Sequence, residues 1–173
     1  MKTAQKDKMK KLTGILLVVY LMVLSWIILF KMQFDISLLK NMNFRSVNLI
    51  PFADSLIVNG RMDISEIILN IVAFIPFGVY LSMLNVNWGL LKKILPIFSV
   101  SLLYEVTQYI FAIGASDITD LMGNTLGGAI GIGIFFVLHH LLGKKTVKVL
   151  NVLATIGTIA SVLFLALLTI ANM

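Results

Sequence analysis

Apolar residues along this chain gather into five long runs, and short polar connectors separate the last four of them. A helix that crosses a membrane needs about 20 predominantly apolar residues, because the hydrocarbon core is about 30 Å thick. The pattern therefore predicts an all-α integral membrane protein, a five-helix transmembrane bundle that forms a single membrane domain over residues 1–173. The predicted spans are residues 12–30, 67–84, 94–115, 121–143 and 149–171.

The connector between the first two runs, residues 31–63, is long and not uniformly polar. Its segment 44–52 is apolar enough to lie in the membrane interface or to turn back into the protein. Irregular backbone at membrane depth must be buried against protein, because its polar groups find no partners in lipid. We therefore predict a partly re-entrant or interfacial outer loop that carries Arg45 over the bundle.

Composition narrows the class of protein. Hydrophobic residues make up 59% of the 173-residue chain and charged residues 13%, with a mean hydropathy of +0.99. Soluble domains carry about 25% charged residues, so this chain has too few polar side chains to cover a soluble core. A soluble enzyme, a secreted domain and a disordered linker are excluded. The absence of cysteine excludes a disulfide framework, a thiolate nucleophile and a cysteine-ligated metal site.

The distribution of basic residues predicts how the bundle is oriented. With five spans, ten of the 14 Lys and Arg residues fall on the side of the N-terminus, and the other four lie in the loop 31–63. Basic residues near span ends favour the cytoplasmic side. We therefore predict a multi-pass plasma-membrane protein with a cytoplasmic N-terminus and an extracellular C-terminus. The net charge of +6 is mainly this topology signal, and nucleic-acid binding is not predicted because no stacking aromatics interleave the lysines.

Polar side chains interrupt three successive spans at a similar predicted depth near the outer surface. They are Glu66 and Asn70 at the start of the second span, Glu105 and Gln108 in the third, and Asp117, Asp120 and Asn124 at the start of the fourth. A carboxylate within a span costs about 2.5–3.5 kcal/mol on insertion scales, so such groups face a bundle interior or a watery cleft. We predict one polar pocket, with Arg45 and Arg61 available as partners of the acids. The predicted ligand-binding residues are Arg45, Asn48, Asn70, Glu105, Gln108, Asp117, Asp120 and Asn124.

These residues also have structural interpretations. Asp117 fits a helix N-cap, and Asp120 would be stabilised by the dipole at the helix start. Glu105 fits a carboxyl group, protonated or paired with arginine, that fixes helix packing. The carboxamides equally fit hydrogen bonds between helices: Asn70, Gln108 and Asn124.

Two other features of the fourth span have simple interpretations. His139 and His140 lie about 28 Å along the helix from Asp120, so we interpret them as interfacial residues and predict no metal site. Glycines repeat at spacing four earlier in the span, at Gly123, Gly127 and Gly131. Small residues at this spacing let helix backbones approach closely, and we expect them to hold the fourth span against the third.

Four motifs resemble those of the VanZ-like family. They are Asn48-Leu49-Ile50-Pro51-Phe52, Asn70-Ile71-Val72-Ala73-Phe74-Ile75-Pro76-Phe77-Gly78, Glu105-Val106-Thr107-Gln108, and Asp117-Ile118-Thr119-Asp120 followed by Asn124 and Gly127-Gly128. The resemblance covers about residues 12–142. It implies a membrane protein accessory to antibiotic resistance, since the family's namesake is associated with resistance to the lipoglycopeptide teicoplanin without remodelling of cell-wall precursors.

The residues and the resemblance together predict an accessory of teicoplanin-type resistance or of envelope-stress tolerance. The outer polar pocket would bind a membrane lipid, a lipid-linked cell-wall component or a lipoglycopeptide. The alternative is an intramembrane enzyme in which Glu105 and Asp120 act as acid and base on a lipid-linked envelope substrate. No cofactor is predicted unless the protein is an enzyme, when Mg²⁺ would suit the oxygen donors. A carrier is a third hypothesis, disfavoured because no inverted repeat is visible.

Overall fold

A computed structural model describes residues 2–30, 44–52, 57–58, 61–62 and 64–171 of the chain. Most of these residues form five α-helices: α1 (Lys2–Phe30), α2 (Ser65–Leu84), α3 (Leu90–Phe111), α4 (Ile118–Leu142) and α5 (Thr146–Ala171). A 3-10 turn at Gly143–Lys145 joins α4 to α5. The long apolar runs thus fold as helices, as their length and composition predict.

Four continuous helical stretches of the described chain are long and apolar enough to cross a membrane, where the sequence pattern predicted five separate spans. They are Ala4–Leu29, Ser65–Leu84, Leu90–Phe111 and Ile118–Leu167. The last combines the predicted fourth and fifth spans, because the 3-10 turn keeps the chain helical from α4 into α5. At this joint the Thr146 hydroxyl lies 3.2 Å from the carbonyl oxygen of Leu138 and 2.8 Å from that of Gly143.

Contacts with α1 set the direction of the later helices. Near the end of α1, Ser25 bonds Tyr104 of α3 at 2.9 Å, and the Ile28 carbonyl oxygen accepts a bond of 3.1 Å from Gln108. Positions rise together along both helices, so α1 and α3 run parallel. The helix α4 runs opposite to α3, since Asp117 bonds Glu105 whereas the later Asn124 bonds the earlier Ser101. The helix α2 also runs opposite to α3, because it is parallel to α4.

The helix α5 also runs parallel to α1. Near the start of both, the Thr13 hydroxyl donates to Asn151 Oδ1 at 2.9 Å, and Asn151 donates to the Met9 carbonyl oxygen at 3.3 Å. Further along, Thr158 of α5 and Tyr20 of α1 line one cavity. The stretch from Ile118 to Leu167 therefore reverses its direction at the 3-10 joint.

The helices α2 and α4 run parallel with their backbones in contact. A Cβ atom added to Gly127 or Gly131 would overlap backbone atoms of α2, whereas one at Gly123 would make ordinary contacts at 3.7 Å. The glycine ladder therefore allows a close approach, but the expectation that it faces the third span is wrong. The ladder packs on α2, at Ile71 and Ile75. The residue that faces α3 is the neighbouring Gly128, which lies about 100° around the helix from Gly127 and contacts the Ile97 side chain.

The third helix ends earlier than predicted. It stops at Phe111, and Ala112 follows in the left-handed conformation with φ 55°. The next five residues form a strand, β4 (Ile113–Asp117), and α4 begins at Ile118. The predicted span 94–115 is therefore wrong at its C-terminal end, because a left-handed residue ends the helix and the chain after it pairs with another strand.

That partner strand belongs to the predicted outer loop. The strand β1 (Phe44–Asn48) pairs with β4 in parallel, with Asn48 opposite Asp117. Two further strands, β2 (Ile57–Val58) and β3 (Arg61–Met62), pair antiparallel. The strand pairs are additions to the predicted all-α architecture, and the membrane position of the loop stays a prediction. The other residues of the loop lie outside the described part of the chain: 31–43, 53–56, 59–60 and 63.

Candidate functional site

Glu105 is buried where α3 meets the segment before α4, with 5% of its surface exposed. Its Oε2 atom accepts a hydrogen bond of 2.8 Å from the backbone N–H of Asp117. The Glu105 carbonyl oxygen accepts a second bond, 3.2 Å long, from the Ser116 hydroxyl. Burying a carboxylate without donors is costly, so Glu105 positions the start of α4 and is itself stabilised by it.

Asp117 caps α4, in agreement with the structural interpretation of this residue. Its Oδ1 atom accepts a bond of 2.7 Å from the backbone N–H of Thr119, which would otherwise have no partner in the first turn. Its Oδ2 atom accepts a bond of 3.3 Å from the Asn48 side-chain amide. A single carboxylate thus joins the helix start to the end of β1.

The residues after β1 form a turn that hydrogen bonds hold against α4. Asn48 Oδ1 accepts a bond from the Ile50 N–H, and the Thr119 hydroxyl accepts one from the Phe52 N–H, both 3.0 Å long. Phe52 has φ 65°, a strained value for a residue other than glycine, and such strain persists only where surroundings enforce it. The turn leaves Leu49 71% and Ile50 68% exposed, so it presents apolar side chains at this end of the bundle.

Asn70 and Asp120 meet between α2 and α4. The Asn70 side-chain amide donates a bond of 2.7 Å to Asp120 Oδ1, and 9% of Asn70 is exposed. This pair fits the structural interpretation of Asn70 as an interhelical donor. It also shows that the polar faces of α2 and α4 meet, and their depth in the membrane stays a prediction.

Asn124 is buried between α4 and α3, with 1% of its surface exposed. It donates a bond of 2.9 Å to the Ser101 hydroxyl, one turn before Glu105 on α3. Its Oδ1 atom has no hydrogen-bond partner. Asn124 thus extends the polar contacts by one turn toward the middle of the bundle.

Gln108 points to a different neighbour from Glu105. Its amide donates to the Ile28 carbonyl oxygen at the end of α1, while its Oε1 atom is buried without a partner. Residues three apart on a helix differ by about 60° in direction. That difference is enough for Glu105 to contact the segment before α4 while Gln108 contacts α1.

Hydrogen bonds to Asp117 join it with Asn48, Glu105 and Thr119, and a separate bond joins Asn70 to Asp120, the residue after Thr119 on α4. We give these six residues from the four sequence motifs, which lie at one end of the bundle, the name motif network: Asn48, Asn70, Glu105, Asp117, Thr119 and Asp120. We name this end the carboxylate end. Arg45 lies in β1 opposite Gly114, but its side chain and that of Arg61 lie outside the described part. The prediction that arginines pair with the acids therefore stays a prediction.

Two cavities lined by described residues lie away from the motif network. One of about 340 Å³ lies between α1, α2 and α5, and one of about 270 Å³ lies between α1 and α5. Neither is lined by Glu105 or Asp120. The motif network is thus described by its mutual hydrogen bonds and by the exposed turn beside it, and a polar pocket stays a prediction.

The described residues contain no cluster of metal-ligating side chains. No three His, Asp or Glu side chains there are grouped closely enough to hold a metal ion. His139 and His140 lie in the last turn of α4, far along the helix from Asp120. His139 stacks on Phe135 with ring centroids 5.6 Å apart, so its ring packs within its own helix.

Sequence reasoning missed three hydroxyl residues that bond to the motif residues: Ser101, Ser116 and Thr119. Ser101 and Thr119 are also fully or almost fully buried. Spacing gives a usable signal for Ser101, since it lies four residues before Glu105 and so on the same helix face. Thr119 stands within the Asp-Ile-Thr-Asp motif itself.

These features define a multi-pass α-helical membrane protein with a hydrogen-bonded polar network at one end of its bundle. The chain belongs to the VanZ/LLP1 family, whose model matches residues 17–139. That match includes all four motifs and confirms the resemblance seen in the sequence. The chain is also 39% identical to Protein VanZ of Enterococcus faecium over 153 residues. This alignment covers 87% of the chain and 88% of that relative. No solved structure matches the chain.

Proposed function

We propose that this protein is an accessory of resistance to teicoplanin-type lipoglycopeptides, or of envelope-stress tolerance, that acts at the outer face of the bacterial plasma membrane. One observation carries the proposal: the motifs of a family associated with such resistance converge on the motif network. Such a network could bind a ligand or stabilise the helix bundle. The exposed apolar turn beside it favours binding.

The orientation in this proposal rests on charge and helix direction. The helices α1, α3 and α5 run one way and α2 and α4 the other, which gives five passes if α4 and α5 cross separately. The bundle end opposite to the carboxylate end, which we name the lysine end, carries Lys8, Lys92 and Lys148. The positive-inside rule assigns the lysine end to the cytoplasm, so the carboxylate end faces outward.

The chemistry of the carboxylate end fits an amphipathic ligand. Leu49 and Ile50 offer exposed apolar surface. The Asp117 carboxylate lies beside it through its bond to Asn48, and Asp120 follows in the first turn of α4. A lipoglycopeptide or a lipid-linked cell-wall component combines an acyl or polyprenyl chain with a polar head. The chain would contact the apolar turn, and the head would contact the carboxylates and carboxamides.

The intramembrane enzyme finds no supporting observation among the described residues. One carboxylate oxygen of each residue in that hypothesis, Glu105 Oε2 and Asp120 Oδ1, accepts a short hydrogen bond from a protein donor. A general base must reach the proton that it removes. Binding therefore accounts for the arrangement with fewer assumptions.

The test is the teicoplanin susceptibility of cells that express wild type, Glu105→Gln or Asp120→Asn. Each substitution removes a charge but retains an oxygen that can accept the same hydrogen bond, so the fold should persist. We expect both variants to lose protection and to approach the empty-vector control. Asp7→Asn, which removes the same charge at the lysine end, should protect like wild type.

Surface levels of every variant need a common measure. Because the chain has no cysteine, an Ile64→Cys background gives one thiol at an exposed position just before α2, outside the apolar turn, for labelling of intact cells with an impermeant maleimide. Equal labelling establishes equal insertion and an outward-facing carboxylate end. Full protection by both charge-removed variants would contradict the binding proposal, and labelling only after lysis would contradict the orientation.

A further inference from the structure

A groove between α1 and α5 opens at the lysine end. Its cavity of about 270 Å³ is lined by Met9, Leu12, Lys148, Asn151, Val152, Thr155 and Ile156. Asn151 and Thr13 close its inner side with the bond that ties the two helices together. It is separate from the motif network, which lies at the other end of the bundle.

The polar groups inside this groove are already satisfied by the protein. The Asn151 amide donates to the Met9 carbonyl oxygen at 3.3 Å, and the Thr155 hydroxyl donates to the Asn151 carbonyl oxygen at 2.8 Å. What remains is an apolar surface formed by Leu12, Val152 and neighbouring side chains. This apolar surface offers no free hydrogen-bonding groups to water or to a polar ligand, so it suits a hydrocarbon chain.

Basic side chains surround the mouth of the groove. Lys148 lines it directly and lies four residues before Val152 on α5. Lys8 lies four residues before Leu12 on α1, and residues at this spacing share one helix face. Two exposed lysines from two parallel helices thus stand above one apolar groove.

The charge at this end is almost entirely positive. Of the residues in segments 2–13, 85–93 and 142–150, Asp7 alone is acidic. Juxtamembrane Lys and Arg residues attract anionic lipids by about 1 kcal/mol each, and basic pockets between membrane helices bind their head groups. The occupant indicated by this combination has one negative head group and a long apolar tail.

We propose that the α1–α5 groove is a binding site for an anionic phospholipid of the leaflet at the lysine end. One acyl chain lies along Leu12 and Val152, and the phosphate lies between Lys8 and Lys148. The site needs only the leaflet at that end, so it does not depend on the proposed resistance function. A bound lipid would also fill the gap beside α5, a helix that packs chiefly on α1.

The probe for this site is palmitoyl-oleoyl phosphatidylglycerol, with phosphatidylcholine of the same chains as the neutral reference. The full chain is purified in mild detergent, and retained lipid is counted by native mass spectrometry. At about fivefold per lysine, Lys8→Gln/Lys148→Gln should lower retention of phosphatidylglycerol roughly 25-fold. Val152→Trp, which fills the groove, should lower it while leaving both lysines in place.

Matched controls remove the same charge or add the same bulk elsewhere. Lys10→Gln/Lys92→Gln changes two lysines at the same end of the bundle that do not face the groove. Lys10 points about 200° away from Lys8 around α1, and Lys92 lies on α3. Leu91→Trp adds bulk to an exposed position of α3 at the same end of the bundle. Both controls should retain phosphatidylglycerol like wild type, and excess glycerol phosphate should not displace it. Equal retention of the two lipids, or equal loss in test and control pairs, would overturn the proposal.

Discussion

Replacing Gly131 with alanine should destabilise the bundle, although alanine is the better helix former. A Cβ atom at this position would overlap the backbone of Ile75, so α2 and α4 would have to separate. Overpacking typically costs about 1–3 kcal/mol and occasionally more, while the gain in helix propensity is about 1 kcal/mol. Overlap with backbone, which cannot move aside as a side chain can, favours the upper part of that range. The loss should double or more in Gly127→Ala/Gly131→Ala.

The same helix supplies the controls. Gly133 faces open space and Gly123 would make only ordinary contacts, so Gly133→Ala and Gly123→Ala should be neutral or slightly stabilising. Unfolding of the purified protein in mixed micelles measures all four variants on one scale. If Gly131→Ala were as stable as Gly133→Ala, the close packing of α2 on α4 would be wrong.

Replacing Asp117 with alanine should cost about 2 kcal/mol of stability. About 1 kcal/mol comes from the lost N-cap bond to the Thr119 N–H. A similar amount comes from the bond to the Asn48 amide, which involves a charge but is long and only half-buried. The end of β1 should also loosen, because Asn48 loses its partner across the strand pair.

A second substitution separates these two contributions. Asparagine caps helices about as well as aspartate, so Asp117→Asn should keep the bond to Thr119 and lose only the one to Asn48. We therefore expect Asp117→Asn to recover about half of the loss. Asn48→Ala should then cost less in the Asp117→Ala background than in the wild-type chain, because only its bond from the Ile50 N–H remains to be lost there. Full additivity of Asn48→Ala and Asp117→Ala in unfolding measurements would show that the two side chains do not interact.

The positions of the helices could be read from the sequence because long apolar runs leave few alternatives in a membrane. Their ends could not be read so well. Nothing in the run 94–115 signals that Ala112 takes a left-handed conformation. Pairing of Phe44–Asn48 with Ile113–Asp117 depends on two segments far apart in the chain, a relation that hydropathy does not encode.

The candidate site likewise contains contacts that the sequence could predict and contacts that it could not. Asn70 and Asp120 could be predicted to meet, because each lies near the start of a helix that begins at the same end of the bundle. The interhelical bond of Gln108 fits one of its two sequence interpretations. Its partner helix could not be predicted, because its direction differs from that of Glu105 by about 60°, which selects α1 rather than α4. The sequence also could not predict that Glu105 accepts a bond from the backbone N–H of Asp117, because any backbone N–H can donate.

Attachment of the loop motif to the start of α4 is the feature on which the motif network depends, and an engineered disulfide measures it directly. Val47 and Ser116 are paired across β1 and β4, and strands in a sheet lie about 4.8 Å apart, within the range that a disulfide bridges. In this cysteine-free chain, Val47→Cys/Ser116→Cys should oxidise readily in membranes and resist a later maleimide-polymer shift. Val47→Cys/Phe136→Cys, with the second thiol about 30 Å further along α4, should remain fully reactive. Equal reactivity of the two pairs would contradict the joining of the motifs.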